Sequence, residues 1–192
     1  MTPLEEIHAA IVADPDNRWA TEQGWAPLYT AHPAARVLIV GQAPGRRAQE
    51  AGRLFADASG ATLLGWLGVD EETFRTPELF AILPMDFYYP GRGAHGDLPP
   101  RKGFAERWHP PILAEMPAVR LTLLIGAYAQ RHYLGPGPSL TDRVRAFRDH
   151  LPDVVPLVHP SPLNFRWQAR NPWFAEELLP ELRRRVAEVL VA

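Results

Sequence analysis

Four short apolar runs divide the chain, at residues 36–40, 79–83, 121–125 and 154–158. Each is four or five residues of mostly β-branched or leucine side chains, bounded by Gly, Pro or polar residues. Runs of that length between turn signals read as buried strands. Between them the spacing turns helical. Residues 4–13 predict a short amphipathic helix ending near Asp14-Pro15. Ser59 is placed to cap a helix over 60–67, with Leu63, Leu64 and Leu67 on its apolar face. A short helix runs from Asp70 to Arg75, another over 104–116, and Gly126 opens one that reaches Leu134. Ser139 caps a helix over 140–149, and Asn171 caps the last, with Pro172 at its first position. Residues 16–35 read as irregular, and 84–103, rich in Pro and Gly, as one long loop. A loop of that length is usually functional or mobile.

Strands that alternate with helices predict an α/β fold. It is a three-layer αβα arrangement around a four-stranded parallel sheet. The 192 residues suit one domain over 1–192, with 1–35 as an N-terminal helix and lead-in. In such sheets ligands bind where loops leave the carboxyl ends of the strands. Two loops stand out there. Val37-Leu38-Ile39-Val40 runs into Gly41-Gln42-Ala43-Pro44-Gly45, and Val154-Val155-Pro156-Leu157-Val158 runs into His159-Pro160-Ser161-Pro162-Leu163-Asn164.

Composition narrows the chemistry. The chain has no cysteine, which excludes disulfides, thiolate metal sites and a cysteine nucleophile. No apolar stretch is long enough to span a membrane and no signal-peptide pattern opens the chain, so a soluble cytoplasmic protein is expected. The net charge of −2 does not by itself mark a nucleic-acid binder. Lys102 is the only lysine, so almost every cation is an arginine. A GC-rich genome explains that better than selection for phosphate contacts does. Arg46, Arg47 and Arg53 follow the first loop, and Arg166 and Arg170 the second. Arg183-Arg184-Arg185 reads as a solvated helix face.

The glycines of the first loop allow close backbone approach to a ligand, or they simply make a tight βα turn. The prolines of the second loop fix where His159 and Leu163 point. A histidine there can donate a hydrogen bond or titrate near neutrality, and an exposed leucine can wedge between bases; a structural histidine and a core leucine are the plain alternative. Phe55 can stack on a planar ring, and Asp57 can orient water or only cap a helix. Asp86, just after the second strand, is a rival acid. His95, His109, His132 and His150 fall at no metal-ligand spacing.

With these residues in view, the chain resembles the uracil-DNA glycosylase superfamily over roughly residues 36–190. Gly41-Gln42-Ala43-Pro44-Gly45 looks like its first motif. His159 to Asn164 looks like its second, with His159 as catalytic histidine and Leu163 as intercalating leucine. The stretch Asp57-Ala58-Ser59-Gly60 and Leu163-Asn164 are most similar to the thermophile branch, where an aspartate of the same stretch is implicated in catalysis. The resemblance implies His159 and Asp57 as catalytic residues, and Gly41, Gln42, Ala43, Phe55 and Asp86 around the base. Pro160, Ser161, Leu163, Asn164 and Arg166 would then meet the DNA. Three departures stand out. Ala43 replaces the water-activating aspartate of the best-known branch, so that function moves to Asp57 or Asp86, or is lost. The chain is one residue shorter between Phe55 and the aspartate. Residues 83–89 hold no asparagine to read the uracil edge; Pro84, Met85 or Asp86 stands there.

The expected activity is hydrolysis of the N-glycosidic bond of a damaged base, uracil first, in DNA for base-excision repair. No cofactor or metal is expected, DNA is the expected partner, and the chain is expected to act as a monomer. A catalytically reduced member that binds a nucleobase or damaged DNA is the alternative. A free-nucleoside hydrolase ranks below it.

Overall fold

The computed structural model describes residues 1–191. The chain begins with α1 (Pro3–Ala13), whose Thr2 and Glu5 cap each other's backbone at the N-terminus. A 3₁₀ turn (Pro15–Asn17) and α2 (Arg18–Thr21) follow, so the stretch read as irregular starts with helical turns. Then come β1 (Val37–Val40), α3 (Arg46–Ala51), α4 (Ala58–Leu67), α5 (Glu71–Arg75) and β2 (Phe80–Ile82). A small hairpin of β3 (Arg92–Gly93) and β4 (Gly96–Asp97) leads to α6 (Phe104–Ala114), β5 (Leu121–Ile125) and α7 (Gly126–Leu134). The chain ends with α8 (Leu140–Arg145), β6 (Val154–Leu157), α9 (Phe165–Arg170) and α10 (Leu179–Val191).

The sheet is parallel throughout, in the order β2-β1-β5-β6. Residues one apart on a strand point to opposite faces, and the strands divide their apolar side chains accordingly. Val37 and Ile39 join Leu121, Leu123 and Ile125 on one face, packed with Leu63, Trp66 and Leu67 of α4 and Leu182 and Val186 of α10. Leu38, Val40 and Leu124 join the other, packed with Phe104, Trp108 and Ile112 of α6 and Ile11 of α1. Two apolar faces covered by helices make the expected three layers. Pro156 has no N–H to give the ladder, and it lies on β6, which pairs only with β5.

Local chemistry moved several boundaries. Asp57, not Ser59, caps α4: its carboxylate accepts the Gly60 amide at 3.2 Å, so the helix starts at Ala58. The helix expected over 140–149 stops at Arg145 and tightens to a 3₁₀ turn over Phe147–His150. Asn171 does not cap the last helix. Its side chain donates to the Trp167 carbonyl and accepts from the Trp173 indole, while a π-helical turn over Phe174–Leu178 precedes α10. The first part of the long loop is not loose. Its first six residues, 84–89, are buried, with Phe87 and Tyr88 inaccessible to solvent.

Gln130 of α7 sets the carboxyl end of the sheet. Its buried amide donates to the Leu124 carbonyl at 3.1 Å and the Leu157 carbonyl at 2.9 Å, fastening the ends of β5 and β6 together. His159 lies two residues beyond that fastening.

Candidate active site

A cleft of about 860 Å³ opens at the carboxyl edge of the sheet, and all four strands contribute to it. The β1 loop supplies Gly41, Gln42 and Ala43; Pro84 follows β2, Ile125 ends β5 and His159 follows β6. Phe55, Asp57 and Ser59 form a further wall, ahead of and within the start of α4. This is the crevice that parallel α/β sheets offer to ligands.

The β1 loop is held by its carbonyls. Gly41 accepts from the Met85 amide at 2.9 Å and Gln42 from the Asp86 amide at 3.2 Å, extending the β1–β2 pairing past the strands. Among the described residues no main-chain carbonyl accepts from the amides of Gln42 or Ala43. Pro84 is braced from behind. The buried His109 donates Nε2–H to the Pro84 carbonyl at 2.9 Å, and its Nδ1 accepts from the Tyr133 hydroxyl at 2.6 Å. Desolvation lowers the His109 pKa to about 4, so this ring is neutral at pH 7 and its two bonds persist.

His159 has a defined tautomer. The Ser161 amide donates to its Nδ1 at 3.1 Å, so a neutral ring carries its proton on Nε2. The loop is tightened by the Asn164 side-chain amide on the His159 carbonyl at 2.6 Å. The Leu163 amide on Ser161 Oγ, at 3.2 Å, adds to it. His159 is exposed at the cleft, yet the protein around its ring lowers the pKa by desolvation; the nearby Asp57 carboxylate pulls it back up.

Asp57 therefore stands in two roles at once. Its Oδ1 caps α4, and its charge is felt by His159 across the cleft it lines. Phe55 lies on the β1 loop: a β-carbon built on Gly41 would meet the Phe55 ring tip at 3.9 Å, ordinary van der Waals contact.

Asp86 corrects the sequence reading, because it does not line the cleft. It is fully buried, and both its oxygens are taken by Arg101, at 2.7 Å and 2.9 Å. The amides of Tyr88 and Arg101 add bonds of 3.1 Å each. Arg101 in turn reaches Asn17 and lies over the Phe104 ring. Asp86 ties the β2 loop to the N-terminal segment and has no lone pair free for a ligand in the cleft.

Sequence reasoning missed two features. The hairpin brings Asp97 and Leu98 onto the cleft rim, with Asp97 accepting from the Tyr89 hydroxyl at 3.4 Å. Beyond the cleft, Leu163 is 84% exposed and Phe165 62% exposed, so the end of the His159 loop and the start of α9 each present an apolar side chain to solvent. Arg166 lies over the Phe165 ring. An aromatic two residues past the leucine was visible in the sequence, but not its exposure. Pro160, Ser161, Asn164 and Arg166 belong to this projecting loop and α9, outside the cleft itself.

The family model for the uracil DNA glycosylase superfamily matches residues 28–183, from just before β1 to within α10. The match takes in both cleft-forming loops and the four strands that carry them, and the chain belongs to the uracil DNA glycosylase superfamily.

Proposed function

We propose that the protein is a monofunctional DNA glycosylase that hydrolyses the N-glycosidic bond of a damaged deoxynucleotide, with deoxyuridine as the first substrate. It acts as a monomer in cytoplasmic base-excision repair. Within the superfamily we put it nearest the thermophile-type branch, on the Asp57-Ala58-Ser59-Gly60 stretch and Leu163-Asn164. The iron–sulfur cluster of that branch does not fit here: the chain has no cysteine to ligate it, so no step involves one.

In this mechanism the target nucleotide leaves the stack, at a cost of a few kcal/mol. Leu163 fills the gap. The base enters the cleft and stacks on the Phe55 ring, where the amides of Gln42 and Ala43 meet its oxygens. The bond from C1′ to the base nitrogen breaks, and its electron pair stays on the base. The Nε2–H of His159 stabilises that anion at a base oxygen. Asp57 orients the attacking water and offsets the positive charge on the sugar. The water oxygen bonds to C1′, its proton passes to Asp57 and then to solvent, and the base takes its proton from solvent.

The observation that carries this reading is the His159 ring. The Ser161 amide occupies Nδ1, which leaves Nε2 a donor, and the lowered pKa keeps the ring neutral. A neutral donor suits a leaving group that develops negative charge as it departs.

One observation favours a second reading, a member that binds damaged DNA without cleaving it. Ala43 offers no acid on the β1 loop, Asp86 is committed to Arg101 and Asp97 sits on the rim with the Tyr89 hydroxyl, so Asp57 alone is left near His159 to activate water. Oligonucleotides carrying uracil, hypoxanthine or xanthine, single- and double-stranded, separate the two. Alkali-sensitive breaks at the modified base support the enzyme. Tight binding to an abasic duplex with no break at any base supports the binder.

A further inference from the structure

Phe55 is the one non-glycine residue with positive φ among the described residues, at 51°. An L-residue with an aromatic side chain resists that left-handed conformation, so the surroundings must impose it. The imposing groups lie behind the cleft wall. Arg75 of α5 forks onto two successive carbonyls, with one terminal nitrogen 2.6 Å from Leu54 O and the other 3.0 Å from Phe55 O. Its Nε is fixed by Glu71 at 2.8 Å, and the same Glu71 oxygen accepts from Arg53, also at 2.8 Å. The first turn of α4 also closes in on the same peptide. A β-carbon at Gly60 would sit 1.9 Å from Phe55 O, an impossible overlap, so only glycine admits this approach.

The Phe55 peptide is thus gripped between a guanidinium and a helix backbone. The grip aims the ring at Gly41 and sets it nearly perpendicular to the Phe74 ring, 6.3 Å away between centroids. Arg75 itself does not line the cleft. Positive φ in a residue that shapes a ligand cleft is the kind of strain that surrounding structure must over-determine.

We infer that Arg75 is a positioning residue for base capture: its fork on the Leu54 and Phe55 carbonyls holds the Phe55 ring as a rigid wall facing the β1 loop. Lysine cannot reproduce the fork, because one ammonium replaces two directed donors on a plane. This inference rests on the reading of the cleft as a base pocket, and its test separates the two.

Single-turnover base release from a uracil oligonucleotide is measured for the wild type, Arg75→Met, Arg75→Lys, Phe55→Ala and Arg75→Met/Phe55→Ala, with DNA affinity measured alongside. Backbone nuclear magnetic resonance shifts over residues 53–58 report whether Phe55 keeps its left-handed conformation. Arg75→Met is expected to slow release about tenfold to hundredfold, the scale of a misplaced contact remote from the chemistry, with DNA affinity changed by less than about threefold. Arg75→Lys falls between. Adding Arg75→Met to Phe55→Ala costs no more than about twofold further, because the two act as a unit. Losses that multiply in the double variant overturn the inference. So does a Phe55 that stays left-handed in Arg75→Met. If Arg75→Met fails to fold, Arg75→Lys carries the same comparison. If the wild type releases no base, the glycosylase reading fails. The resonance arm then decides the inference alone: retained positive φ in Arg75→Met or Arg75→Lys overturns it, and loss of it sustains the grip.

Discussion

The main-chain amide of Ser161 donates to Nδ1 of His159 at 3.1 Å, and this one bond sets which ring nitrogen carries the proton. It separates the backbone of Ser161 from its side chain. Ser161 has φ −62°, which proline adopts without strain; Ser161→Pro deletes the amide donor and, as Ser161→Ala also does, the Oγ that accepts from Leu163, so the difference between the two variants reports the amide. Base release is expected to fall by about tenfold or more in Ser161→Pro, on the scale of a lost transition-state hydrogen bond, and much less in Ser161→Ala, which keeps the amide. The pH profile follows from the same ring. Burial lowers the His159 pKa below the ordinary imidazole value, so the midpoint of the acid-side loss of activity lies below pH 6.5, where the ring gains its second proton and the Ser161 amide loses its acceptor. A wild-type rate that already halves near pH 6.5 contradicts that assignment.

Asp57 caps α4 and also charges the cleft, and the two duties separate by substitution. Asparagine caps nearly as well as aspartate, whereas alanine costs about 1 kcal/mol. Asp57→Asn is expected to hold its melting temperature and lose about a hundredfold in base release. Asp57→Ala loses both. Thermal melts beside single-turnover rates measure the pair; an Asp57→Asn enzyme of full activity leaves the carboxylate with its capping duty alone.

The left-handed Phe55 makes a prediction about stability that does not depend on any reaction. Glycine tolerates φ 51° and alanine does not. Phe55→Gly is therefore expected to be more stable than Phe55→Ala by about 1 kcal/mol, the reverse of the usual order. Urea titrations of the two variants check it. An alanine variant that is equal or better means that the backbone relaxes there without cost.

Leu163 is exposed on a loop stiffened by Pro160 and Pro162, and Phe165 is exposed at the start of α9. Neither is buried, so alanine at either position changes stability by less than about 0.5 kcal/mol. As wedges they matter only where a stack must be refilled. Leu163→Ala and Phe165→Ala are expected to slow release from duplex DNA several-fold and to leave single-stranded substrate nearly unchanged. Equal losses on both substrates would point to a pocket defect instead.

Much of the frame was legible because burial writes a period of two into strands. Val37 and Ile39 pack on one face and Leu38 and Val40 on the other, and all four are as apolar as a sheet covered on both sides requires. The His159 loop was legible because two prolines around a serine leave few conformations. Asp86 was misread because its partner, Arg101, lies beyond a hairpin, and nothing local marks the pairing. The Asp57 cap was available in principle, since an aspartate three residues before Gly60 is a capping pattern; Ser59, two residues further on, competed for the same duty. The grip on Phe55 was invisible, because it depends on Arg75 returning from the next helix and on the close packing of Gly60. Exposure of Phe165 likewise depends on where α9 begins.

The central claim is that His159 and Asp57 act on one base held in one cleft. Its most direct measurement is single-turnover base release from a uracil-containing oligonucleotide by the wild type, His159→Ala and Asp57→Asn. The account predicts uracil release by the wild type and losses of about a hundredfold or more in each variant. Release that persists undiminished in both variants, or none by the wild type from any modified oligonucleotide, contradicts it.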